Sequence, residues 1–160
     1  MKTTEVIVKT MQVFDATFVD TTTGEVTPRV RIEFDCPIPK GKKADDGLLT
    51  DVEDTFIIMG AAQFRARLYA GSPLIRDARR SKGISLAIED INGLLDLAAT
   101  QGEIKVSATR VEADEELDGF VFQHAGYSYS FAIRFTDDDV AAAAKAAEKR
   151  RNAAKALLGI

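Results

Sequence analysis

GEIKVSATRVEADEELDGFVFQHAGYSYSFAIRF, residues 102–135, is the stretch on which the fold turns. Ile104, Val106 and Ala108 alternate with Lys105, Ser107 and Thr109, a period of two that places the apolar side chains on one face of a strand. Tyr127, Tyr129, Phe131, Ile133 and Phe135 repeat the pattern against Ser128, Ser130, Ala132 and Arg134. The acidic stretch from Glu112 to Asp118 turns the chain between them into GFVFQ, and Ala125-Gly126 precedes the second arm. An antiparallel β-pair is predicted.

Upstream, residues 4–20 are rich in β-branched and aromatic types and predict one long or bulged strand. Asp20-Thr-Thr-Thr-Gly24-Glu25 is a turn, because Asp and Thr side chains satisfy local backbone groups and Gly tolerates positive φ. In the return strand Val30, Ile32 and Phe34 take one face and Arg29, Arg31, Glu33 and Asp35 the other, with Pro28 holding its start at an edge. Pro37 and Pro39 are expected to end it, leaving PKGKKADDGLLTDVED as a long exposed loop before a short buried strand at Thr55–Met59. GAAQFRARLYA predicts a helix closed by Gly71, and Ser72-Pro73 starts a second that runs to about Arg80. ISLAI, residues 84–88, is expected as a strand and DINGLLDLAAT as a helix.

From Asp137 the pattern changes. Nine alanines among the 21 residues from Val140 predict a helix, capped by Asp137–Asp139 and cationic at its end. Its apolar face of Val140, Ala144, Ala147 and Ala154 is thin, so a protruding or loosely held tail is expected. The fold class is α+β: a mainly antiparallel sheet or barrel, helices around 60–100, and an alanine-rich C-terminal helix. Residues 1–136 form a single domain in this reading and 137–160 a basic helical tail.

The 160 residues suffice for one domain with a core of its own, and 46% hydrophobic with 29% charged residues is ordinary globular usage. A single thiol, Cys36, forms no internal disulfide, which points to a reducing compartment. The N-terminus lacks the roughly 7–15 apolar residues of a secretory signal, and no apolar stretch reaches the roughly 18 residues of a membrane span. A cytoplasmic protein without a membrane partner is expected.

Enzyme chemistry has little to build on. His124 is the only histidine and sits beside a hairpin turn without a motif. Nucleophile elbow, phosphate-cradling loop and dinucleotide fingerprint are all missing from the sequence. Asp45, Asp46, Asp51, Glu53 and Asp54 lack the spacing of a calcium loop, and Cys36 has neither a second cysteine nor a basic neighbour. The expectation is a non-enzymatic protein with no catalytic residues, metal or cofactor.

Charge is segregated instead. The net charge is −4, yet Ala61–Lys82 holds Arg65, Arg67, Arg76, Arg79, Arg80 and Lys82 against one acid, Asp77, and the tail adds Lys149, Arg150 and Arg151. Half of the twelve aromatics lie between Phe120 and Phe135. That aromatic face is either the inner surface of the sheet or a partly exposed platform, and the arginines are either paired with acids elsewhere or open to phosphates.

The two hairpins VFDATFVDTTTGEVTPRVRIEF, residues 13–34, and GEIKVSATRVEADEELDGFVFQHAGYSYSFAIRF, residues 102–135, cover about a third of the chain. Their order, with helices between, resembles the elaborated oligonucleotide-binding (OB) barrel of small viral and plasmid single-stranded DNA-binding proteins. The resemblance implies a sequence-tolerant binder of single-stranded nucleic acid, DNA rather than RNA, acting in the cytoplasm of a host cell if the source is viral. It assigns binding to Arg65, Arg67, Arg76, Arg79 and Arg80, for phosphates, and to Tyr127 and Tyr129, for bases. Beside them Lys82 is expected on phosphates and Tyr69 in the same site, while Lys149, Arg150 and Arg151 of the tail either add a second contact or pair with the acidic body. Two departures stand beside it: Leu-Leu-Gly-Ile replaces an acidic C-terminal tail, and residues 60–100 hold more helix than a minimal barrel needs. The alternatives are an oligomeric assembly protein, whose alanine-rich helix packs on a neighbouring copy, and an acidic inhibitor that imitates nucleic acid.

Overall fold

The run from Lys2 to Asp15 forms two strands, β1 (Lys2–Val8) and β2 (Met11–Asp15), because one carboxylate breaks it. Asp35 Oδ1 accepts from the backbone N–H groups of both Lys9 (2.8 Å) and Thr10 (3.0 Å), which removes those donors from any ladder. The chain thereby passes from one sheet to another. The computed structural model describes residues 2–43, 48–83, 85–135, 154 and 156–159.

In chain order there follow β3 (Phe18–Val19), β4 (Val26–Thr27), β5 (Arg29–Lys43), β6 (Leu49–Gly60), α1 (Ala61–Gly71), α2 (Pro73–Lys82), α3 (Ile88–Gln101), β7 (Gly102–Val111), β8 (Glu116–Leu117), β9 (Phe120–Val121) and β10 (Gly126–Phe135). One sheet has the order β1-β7-β10 and the other β2-β5-β6, all antiparallel. Since β1 and β2 are halves of one run, the five long segments follow one another as β6-β5-β2/β1-β7-β10. This α+β arrangement of two open sheets is compatible with an OB-like barrel. Among the described strands none joins β6 to β10; α1 packs against β10, β5 and β6 instead.

The return strand outruns its expected end. Prolines 37 and 39 bend β5 without stopping it: the register moves from Glu33 opposite Phe56 to Ile38 opposite Asp54, so Pro37 sits in a bulge where its missing N–H costs no ladder bond. Beyond the bulge Ile38 to Lys43 pairs with Leu49 to Asp54, and much of the expected loop is a hairpin arm. Residues 85–87 likewise form no strand. Leu86 is fully buried, and Ile88 already belongs to α3.

Each helix follows its local signals. In α1 Phe64 and Leu68 are one turn apart and buried, Phe64 meeting Phe131 edge-on at 5.9 Å. The Ser72 hydroxyl caps α2 by accepting from Ile75 N–H at 3.4 Å, Pro73 opens the helix, and Gly83 at φ 73° closes it. Helix α3 buries Ile91, Leu94, Leu95 and Ala98 against β2, β7 and β10. Asn92, on the same helix, satisfies the open side of β2, accepting from Val13 N–H at 2.7 Å and donating to Val13 C=O at 2.8 Å. With these helices in place the two sheets enclose one core.

Of the predicted tail, 137–160, residues 137–153, 155 and 160 lie outside the described residues. Its far end corrects the expectation of a loose appendage: Ala154 is 2% exposed, and Leu157 and Leu158 pack on the core. Those two leucines add the area that an alanine face lacks. No helix among the described residues is long and apolar enough to cross a membrane.

Candidate nucleic-acid interface

Alternation along β5 sends Val30 and Ile32 into the core and Arg29 and Arg31 outward. Register then places Phe14 and Ile58 on either side of Arg31, 44% and 49% exposed, so an apolar row crosses the outer face with a cation in its middle. Phe56 is the next outward residue of β6 on the same face. Arg31 Cζ lies 3.8 Å from its ring centroid and Lys40 Nζ 3.6 Å, so one aromatic ring positions two cations. Lys40 reaches it only because the strand continues past the prolines.

A concavity of about 490 Å³ opens beside this ring, lined among others by Arg29, Lys40, Lys43, Phe56, Ile58 and Tyr127. Among the described residues no carboxylate lines it. Arg31 Nε pairs with Glu33 at 3.0 Å and Lys40 Nζ with Asp54 at 3.4 Å, both partly exposed pairs of small worth. Arg29 and Lys43 make no ion pair among the described residues. The floor is therefore apolar and the rim cationic, although the whole chain carries −4.

The two tyrosines expected to meet bases part company. Tyr129 is 8% exposed and its hydroxyl donates to Pro39 C=O at 2.8 Å; burial, then the neighbouring Tyr127, pushes its phenol well above the ordinary value. It is a strap inside the fold that lines the same concavity while exposing little of its surface there. Tyr127 is half-buried and stacks on Tyr129 at 6.3 Å between centroids. Its hydroxyl donates to Asp51 Oδ1 at 3.2 Å, and Arg110 Nε holds the same oxygen at 3.0 Å. Burial, followed by Asp51, raises the Tyr127 phenol as well. The Tyr127 ring lines the concavity above and two more.

The basic helices do not converge on this groove as one patch. Arg65 donates to Leu86 C=O at 2.6 Å and fixes the segment before α3. Arg67 pairs with Asp118 at 3.1 Å, and Arg76 Nε lies 3.5 Å from Asp77. Tyr69 is half-buried, its enclosed hydroxyl without a partner among the described residues and the Arg79 guanidinium 5.8 Å from its ring centroid. It does not line the concavity beside Phe56. Arg79 and Arg80 are exposed on α2, which packs on α1. The side chain of Lys82, and Lys149, Arg150 and Arg151, lie outside the described part of the structure. His124 is exposed, and burial, then Asp35, raises the Cys36 thiol. Among the described residues no three His, Cys, Asp or Glu side chains converge in a metal-like group.

Arg29, Arg31, Lys40, Lys43, Phe56 and Ile58 are the residues that sequence reasoning leaves out. The charged face of β5 was the available signal; Phe56 lay hidden in a run that reads as buried, and the lysines in one that reads as loop. Compared with protein-family models, curated proteins and solved structures, the chain matches none.

Proposed function

We propose that this chain is a non-enzymatic, sequence-tolerant binder of single-stranded DNA, and that the strand lies along the outer face of β5 and β6. The observation that carries the reading is Phe56 held between Arg31 and Lys40, with Arg29, Lys43 and the Tyr127 ring around the same concavity. A flexible polyanion with flat apolar bases calls for that combination. Cations at the rim, two of them positioned by the Phe56 ring, take phosphates and release counterions, while the Tyr127 ring and Ile58 cover base faces, each stacked base contributing about 1–3 kcal/mol. In OB barrels the face of the second and third strands, with the loops between the first two and the last two strands, holds oligonucleotides. On that likeness β5 and β6 would supply the face, and the β3–β4 hairpin, whose Phe18, Val19 and Val26 are exposed, and the β8–β9 hairpin the loops.

Fluorescence polarisation with a labelled oligo(dT), titrated at several salt concentrations, tests the proposal. Three or four phosphate contacts give log K against log salt a slope of about −2 to −3. Absence of binding at low salt, or a flat response, overturns the reading.

A further inference from the structure

Helix α2 turns to solvent a face that lies apart from the groove. Ile75 and Ala78 point inward, whereas Leu74 is 41% exposed and Arg79 and Arg80 are exposed as well. Arg76 pairs with Asp77 of the same helix at 3.5 Å, Arg79 rests against the Tyr69 ring, and Arg80 meets no acid among the described residues. Three arginines against one aspartate make this face cationic. Like charges spaced three and four residues apart on a helix repel, so an anionic surface laid across them stabilises it.

The chain carries the complement on its β8–β9 hairpin. Glu116 and Val121 are register partners and project from one side of the ribbon; Leu117 and Phe120 project from the other, where with Gln63 and Arg67 they line a compartment against α1. The first side faces outward. Val121 is 54% exposed, Glu116 and the nearby Asp114 are exposed too, and neither acid forms an ion pair among the described residues. The hairpin is also braced: Asp118 pairs with Arg67 at 3.1 Å, Asp114 N–H donates to Phe122 C=O at 2.7 Å, and Phe122 N–H donates to Glu115 C=O at 2.9 Å. A braced projection loses little freedom when it docks.

The two surfaces belong to opposite flanks of α1. Successive residues of a helix turn by about 100°, and Phe64 and Leu68 face the core, so Gln63 and Arg67 fall on one flank and Arg65 and Tyr69 on the other. The contacts agree. Arg67 meets the hairpin, whereas Arg65 donates to Leu86 C=O just beyond α2 and Tyr69 lies against Arg79 of α2. Complementary charges held on opposite flanks of one helix fit a second copy of the same chain.

We infer that copies of this chain associate head-to-tail, the outward side of the β8–β9 hairpin of one copy docking on α2 of the next. Asp114 and Glu116 meet Arg79 and Arg80, and Val121 packs on Leu74. Because the two halves of the contact differ, each docked copy still offers a hairpin or an α2 face to another, and association does not stop at a dimer. This goes beyond the proposed function and needs no nucleic acid. Since α2 lies off the groove, the contact leaves the hold of a single copy on a short strand unchanged.

Sedimentation velocity of the full chain at low salt, without nucleic acid, tests the inference. The wild type is expected to grow past the dimer as its concentration rises and to return toward monomer as salt screens the pairs. Arg80→Glu and Glu116→Arg each set like charges across the contact and are expected to weaken association by roughly tenfold or more. Mixing the two variants in equal amounts sets opposite charges across every junction between unlike copies and restores growth, which a misfolded variant could not do. A wild type that stays monomeric up to roughly 1 mM, or that stops at a dimer, overturns the inference. Growth that neither variant weakens, or that mixing does not restore, overturns it as well.

Discussion

The Tyr129 hydroxyl donates to the Pro39 carbonyl at 2.8 Å, joining β10 to the far arm of β5 across 90 positions of sequence. Pro39 lies beyond the bulge, on the arm that carries Lys40 and Lys43, and the bond holds that arm against the second sheet. Tyr129→Phe keeps the buried ring and leaves the carbonyl without its donor. A loss of about 1–3 kcal/mol is expected in urea unfolding. A variant as stable as the wild type would show that the strap holds nothing.

The cations at the rim and those on α2 make opposite predictions. Arg29→Ala and Lys43→Ala each remove a phosphate contact, so each is expected to flatten the salt slope by about 0.7 and to weaken binding without regard to sequence. Arg80→Ala, on an exposed face of α2, leaves slope and affinity unchanged. The reverse outcome, with Arg80 contributing and Lys43 silent, would move the interface from the strands to the helices.

How much of this is legible in the sequence depends on the range of the interaction that decides it. Residues 104–108 and 127–135 keep a period of two, and Ser72-Pro73 with Gly83 punctuates α2, so sheet class and helix positions can be read locally. The break at Lys9–Thr10 cannot, because its cause is a carboxylate 25 and 26 positions away. Arg65 and Arg67 look like free cations in the chain, yet their partners Leu86 and Asp118 stand 21 and 51 positions further on. Alternation shows that Tyr129, Phe131 and Ile133 share a face; α1, which covers it, is encoded elsewhere. The groove itself depends on the register shift between Glu33 and Ile38, which brings Lys40 to Phe56 and leaves no periodic trace.

Asp35 makes the crossover between sheets sensitive to acid. Partial burial acts to raise its carboxyl, but the N–H donors of Thr10 and Lys9 outweigh that, and the group titrates below its ordinary value of 3.8. A carboxylate whose folded pKa is depressed adds stability above its unfolded pKa and loses it as pH falls through the folded one. The stability difference between wild type and Asp35→Asn, followed by chemical denaturation, is therefore expected to be constant near neutrality. It shrinks between about pH 5 and pH 2. A difference independent of pH over that window would mean that the charge on Asp35 contributes nothing to the crossover.

Gly71 ends α1 where the helix runs closest to β10, and a Cβ built there would run into the carbonyl oxygen of Phe131. Glycine inside a helix ordinarily costs about 1 kcal/mol relative to alanine, so helix propensity alone predicts that Gly71→Ala stabilises the protein. Packing predicts the opposite sign. The obstacle is the backbone of β10, fixed by its ladder to β7, and relieving the clash requires α1 to lift from β10, which opens the Phe64–Phe131 contact. A net loss of about 1–3 kcal/mol is expected, the usual cost of forcing extra volume into a packed interior. Gly24→Ala serves as the control: nothing lies within 4 Å of the added Cβ, and only the positive φ of 74° is strained. Gly71→Ala is therefore expected to lower the melting temperature. A variant that melts above the wild type would show that α1 stands further from β10 than the contact with Phe131 implies.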